Sequence, residues 1–229
     1  MLITTDPVWF APINVLYHFA RLDDVSSEKH KKTKVFRKAY EANLAAIMLM
    51  GVIKSQRVQY WMQVVPDKQE SPDVRTFRYS NDPAKKNWQD IQEVEVTQYE
   101  KHSPESITDF LKRTKLAYPY PAQTTILCLA DKTTTLPSWK QMYTDLKGLS
   151  PHTPVIILAK THPSKTIYTI CQIHPEIDLL TDFDIMEESY NKKYLGVLKV
   201  KLDAHNRLQF IYNSNEKHYP FESLGIAPK

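Results

Sequence analysis

At 229 residues the chain can bury one sizeable core, and its 42% hydrophobic and 24% charged residues belong to a folded globular protein rather than a disordered one. A net charge of +4, from 30 basic and 26 acidic side chains, is too slight to mark a nucleic-acid partner by itself. Only four glycines are present; the G-x-G-x-x-G dinucleotide loop and the G-x-x-x-x-G-K phosphate cradle are absent, as are G-x-S-x-G and H-E-x-x-H.

The two cysteines, Cys128 and Cys171, sit inside apolar runs and read as buried thiols of a reducing compartment, not as a disulfide framework. The amino terminus lacks the basic start and cleavage site of a signal peptide, and no run approaches the roughly 18 apolar residues that span a bilayer. A cytoplasmic protein that does not enter a membrane is the expectation.

In chain order, residues 11–22 form a short helix, and a stronger one follows from about Ser27 to Met50. In the second, Val35, Phe36, Ala39, Tyr40, Leu44, Ile47 and Met48 recur at helical spacing, and Gly51 stands where a left-handed terminal residue is wanted. Lys29, Lys31, Lys32, Lys34, Arg37 and Lys38 crowd the start of this segment and read as its solvated face, or as cations that neutralise the phosphates of a nucleic acid. Strands are predicted over 57–65, 74–80 and 90–99. A helix opens at Ser103-Pro104-Glu105 and runs to about Lys115. Thr124–Ala130 is a buried strand, Ser138–Lys147 a helix stopped by Gly148, and 155–159 and 166–173 are further strands. Two alternating runs, VLKVKL and RLQFIY, end the chain as a hairpin. The sequence reads as one domain over 1–229, an α/β fold with a mixed sheet covered on both faces.

The third strand carries the chemistry. Side chains alternate along it, so Glu93, Glu95 and Thr97 share a face while Val94 and Val96 point into a core. Adjacent carboxylates on one face repel unless water, a basic partner or a cation meets them. Asp73 enters the preceding strand, and with neighbouring strands about 4.8 Å apart it can converge with Glu95 on one cation. Glu41, on the long helix, offers a further carboxylate. Tyr118-Pro119-Tyr120-Pro121 offers aromatics for base stacking, although rings packed on the core are the commoner fate of such a loop. Ser138, Asp145 and His152 carry no sign of an activated serine.

The order Glu41, Ser71-Pro72-Asp73, Glu95-Val96-Thr97, then a helix and a buried strand, resembles the PD-(D/E)xK nuclease superfamily over about residues 27–130, with 131–229 as an extension. The resemblance implies a restriction-endonuclease-like αβββαβ core. It also implies a magnesium- or manganese-dependent endonuclease acting on DNA, less often RNA, commonly as a homodimer. On that reading Asp73 and Glu95 are catalytic and hold the metal, and Glu41 supports them. The family lysine, two residues after the acid, is Thr97 here. A threonine carries no charge to steady a developing oxyanion. Lys112 is therefore expected to complete the site from the following helix, with Lys115 and Lys101 as the other candidates. The alternative is a catalytically inactive nuclease-fold protein that binds nucleic acid or a protein partner.

Overall fold

The structure is a computed structural model and describes residues 8–66, 72–79, 89–100, 103–121, 123–131, 136–148, 153–160, 166–189, 197–202, 208–213 and 218–226. Ten strands lie in one mixed sheet, in the order β10-β9-β1-β2-β3-β4-β5-β6-β7-β8. They are β1 (Val8–Phe10), β2 (Tyr60–Val64), β3 (Val74–Tyr79), β4 (Gln89–Tyr99), β5 (Thr124–Ala130), β6 (Val155–Ala159), β7 (Ile167–His174), β8 (Asp178–Asp184), β9 (Val197–Leu202) and β10 (Leu208–Asn213). β4, β5 and β6 run parallel; every other pairing is antiparallel.

The helices are α1 (Pro12–Val25), α2 (Glu28–Lys31), α3 (Lys34–Gln56), α4 (Ile107–Leu111), α5 (Trp139–Leu146) and α6 (Ile185–Ser189). From α3 to β5 the order is helix, three strands, helix, strand. β5 shows why the sheet must be covered on both sides. All seven of its residues are buried, Leu127 and Leu129 among the side chains packed with α1 and α3, and Ile126, Cys128 and Ala130 among those packed with α4 and α5.

Two hydroxyls divide the predicted 27–50 helix. Ser27 caps α2 by accepting from the His30 N–H, and Thr33 caps α3 by accepting from the Phe36 N–H at 3.2 Å. α3 does not stop at Gly51. It continues to Gln56, and Arg57, at φ 55°, is the left-handed residue that ends it. Gly51 serves packing instead: a Cβ there would lie 2.6 Å from Cε1 of Phe183 on β8. The next helix begins at Ser106, whose hydroxyl accepts from the Asp109 N–H, and not at Ser103. After five α residues it widens into a π turn over Lys112–Leu116. No helix among the described residues is long and apolar enough to cross a membrane.

Candidate functional site

The site forms where the sheet splits. β3 pairs with β4 only as far as Val74 opposite Val94, while β4 runs on to Tyr99 alongside β5. Asp73 sits at the split. Its N–H donates to the Val94 carbonyl at 3.1 Å and its carbonyl accepts from the Val65 N–H at 3.3 Å. Past this point the Val96 N–H has lost its strand neighbour, and the Asp73 carboxylate takes the place: Oδ2 accepts from Val96 N at 2.8 Å. A buried N–H must be satisfied. Here an aspartate does it with a side chain, which fixes the carboxylate against β4.

The other Asp73 oxygen, Oδ1, is 2.5 Å from Lys38 Nζ. Both side chains are buried, Lys38 at 6% and Asp73 at 7% exposure. Lys38 is the member of the basic cluster that sequence reading assigned to solvent and that the fold buries. The signal was available: Lys38 is in phase, four and seven residues on, with Ala42 and Ala45 on the buried stripe of α3.

Glu95, 4% exposed, is held from the opposite helix layer by Lys115, whose Nζ lies 3.1 Å from Oε2. Its second oxygen, Oε1, is buried and finds no hydrogen-bond partner among the described residues. Lys112, the lysine expected to complete the site, instead faces Asp109 at 3.7 Å, half exposed, away from the carboxylates. Helix phase does not separate the two lysines, because Leu111 lies four before Lys115 and Thr108, also buried, lies four before Lys112; their ion pairs do. Lys101 and His102 lie outside the described residues. Glu93 is drawn off in another direction, 3.8 Å from the guanidinium of Arg75, its partner across β3 and β4. The two adjacent acids of β4 thus have separate fates, and only Glu95 belongs to the site.

Thr97 stands on β4 opposite Cys128 of β5. Burial pushes the Cys128 thiol up to about 12, opposed by the Tyr99 backbone and the Lys115 charge.

Glu41 lies beside the cluster, its Oε1 3.7 Å from Arg37 Nε. Burial, then the negative charge of Asp73, pushes its carboxyl up to about 7, against the opposing pull of Lys38, Arg37 and Lys115. Such a carboxyl binds its proton more tightly folded than unfolded, so stability falls as pH rises from about 4.5 to about 7. Glu41→Gln should remove that loss. Urea midpoints of variant and wild type are expected to agree at acid pH, with the variant the more stable at pH above 7; parallel pH profiles would contradict the assignment.

Tyr120 is half-buried against α4 and its neighbours, and burial, then Glu95, Asp73 and Tyr118, pushes its hydroxyl up to about 12. Tyr118 is 61% exposed. The loop thus sends one ring to the core and one to solvent. Ser138 spends its hydroxyl on the N-cap of α5, and Asp145 accepts from Thr108 and Gln141; His152 lies outside the described residues.

Among the described residues no group of three or more histidine, cysteine, aspartate or glutamate side chains is gathered as a ready-made metal cage. Of the two carboxylates, Asp73 has both oxygens engaged, by Lys38 and by the Val96 N–H, while Glu95 Oε1 has no hydrogen-bond partner among the described residues. A larger cavity, about 850 Å³, lies between α1, α2 and residues 218–226, and none of these carboxylates lines it. Comparison of the chain with family models, with curated proteins and with solved structures gave no match.

Proposed function

We propose that this chain is a metal-dependent nuclease that hydrolyses phosphodiester bonds in DNA, on a restriction-endonuclease-like core from α3 to β5. The observation that carries the reading is that two buried carboxylates at a split in the sheet each meet a lysine from a different helix layer, while one glutamate oxygen finds no partner among the described residues. An unpaired buried carboxylate oxygen costs free energy, which a bound cation would recover.

Asp73 and Glu95 are the residues that would hold magnesium or manganese. The ion, when bound, supplies a water of lowered pKa and polarises the phosphoryl oxygens. The rest falls to the chain's own groups. Lys38 and the Val96 N–H hold Asp73 in place, so its carboxylate does not reorganise during reaction. Lys115 takes the role that Thr97 vacates, presenting positive charge beside Glu95 where negative charge develops on the phosphate. Glu41, whose proton leaves near neutral pH, adjusts the charge of the cluster as cation and substrate arrive.

The competing reading is a nuclease fold that binds without cutting. It is favoured by the same two lysines, which already balance the two carboxylates. Plasmid cleavage separates the two. Nicking in Mg²⁺ or Mn²⁺, stopped by EDTA and lost in Glu95→Ala, is expected. Uncut plasmid with folded wild-type protein in both metals would transfer the case to the binding module.

A further inference from the structure

We propose, resting on the nuclease reading above, that the substrate is single-stranded DNA, drawn through a basic cleft beside α3 and stacked by Tyr118 on the other side of the carboxylates. The cleft, about 710 Å³, is walled by Lys32, Lys34, Arg37, Tyr40 and Gln98 among others. Lys32, Lys34 and Arg37 are exposed, whereas Lys31 at its rim is tied to Asp23 at 2.8 Å. One side chain joins the cleft to the cluster: Arg37 lines the first and reaches Glu41 in the second, at 3.7 Å. Lys38, next to Arg37 on α3, meets Asp73 at 2.5 Å, and Lys115 meets Glu95 at 3.1 Å while its carbonyl accepts from the Tyr118 N–H at 3.1 Å. Tyr118 completes the line, its ring 6.3 Å from that of Tyr120 and open to solvent.

The two ends ask for different parts of one ligand. Cations in a cleft neutralise backbone phosphates whatever the base sequence. An exposed ring flanking the reacting centre binds the flat face of a base, and that face is hidden within a stacked duplex. A strand with unpaired bases satisfies both at once; a duplex satisfies only the first.

The test is fluorescence anisotropy on the wild-type chain in EDTA, where no cleavage occurs, with a labelled oligothymidylate about 20 nucleotides long and a duplex of equal length. The strand is expected to bind more tightly than the duplex by about tenfold, with affinity falling steeply with salt. Tyr118→Ala, an exposed position, should weaken strand binding by roughly 5- to 100-fold. Lys32→Glu with Lys34→Glu should weaken both ligands and flatten the salt dependence. Equal or tighter binding of the duplex, or an unchanged affinity in Tyr118→Ala, would overturn the proposal. Because binding is read without metal, the two readings fail separately. Strand binding without cleavage in Mg²⁺ removes the nuclease and leaves this inference, whereas cleavage with no strand preference does the reverse.

Discussion

Asp73→Ala is expected to cost about 3–5 kcal/mol of folding stability, far more than a surface aspartate, because it strands a buried ammonium. Lys38 sits on the buried stripe of α3 and its head group meets the Asp73 carboxylate. Without that partner the charge has neither water nor counterion. The same substitution removes the acceptor of the Val96 N–H at the split between β3 and β4, a second loss of roughly 1–3 kcal/mol if nothing replaces it. The converse change is milder. Lys38→Met keeps most of the side-chain volume, removes the cation, and leaves Asp73 still accepting from Val96. Lys38→Met combined with Asp73→Leu should therefore recover much of what Asp73→Ala loses, the non-additivity that marks a coupled buried pair. Denaturant titration in metal-free buffer measures all three. An Asp73→Ala variant as stable as wild type would mean that the pair is not formed in solution.

Lys115→Ala should lower the rate of DNA cleavage by about 10²–10³-fold, and Lys112→Ala should leave it nearly unchanged. The two lysines sit three positions apart, so sequence proximity to the site does not separate them. Geometry does: Lys115 lies 3.1 Å from Glu95, and Lys112 faces Asp109 in solvent. If Lys115 acts on charge that appears only in the transition state, the loss falls on kcat with KM little altered. A loss in Lys112→Ala as large as in Lys115→Ala would refute this placement. Lys115 itself is less buried than Lys38, so its truncation leaves less apolar packing undone, and a folded-state check by circular dichroism accompanies the rate measurement.

Much of the fold was legible because the strands announce themselves. Thr124–Ala130 and Val155–Ala159 are continuous apolar runs of strand length, and they form β5 and β6 with those bounds. The terminal hairpin was readable from its alternation. β8 was not. Its residues Asp178, Asp182 and Asp184 give it the look of a loop, because an edge strand with an exposed face carries polar residues freely. Gly51 misled for a different reason. A glycine after a helical run usually marks its end, but here the ring of Phe183 on β8 demands the missing Cβ, a tertiary cause that periodicity does not carry.

Asp73 and Glu95, the acids named from the sequence, stand at the split between β3 and β4, although alternation alone put Glu93 and Glu95 on one face and did not separate them. Their partners required depth. Lys38 was grouped with five neighbouring cations, and only its phase with the alanines of α3 set it apart. Lys115 was not distinguishable from Lys112 by spacing, since each stands four after a buried residue, Leu111 and Thr108, and the π turn over Lys112–Leu116 is not visible in composition. The ion pair that removes Glu93 depends on the register of β3 against β4, which is fixed by backbone hydrogen bonds rather than by residue type.

The most direct test of the central claim is titration of Mn²⁺ into the wild-type chain and into Glu95→Ala, followed by calorimetry or by the loss of the free-ion resonance signal. Glu95 Oε1 is a buried oxygen with no hydrogen-bond partner among the described residues, and the proposed nuclease would use it on the metal. The account predicts saturable binding to wild type that is lost or weakened severalfold or more in the variant. Equal binding by both proteins, or none by wild type, would contradict it.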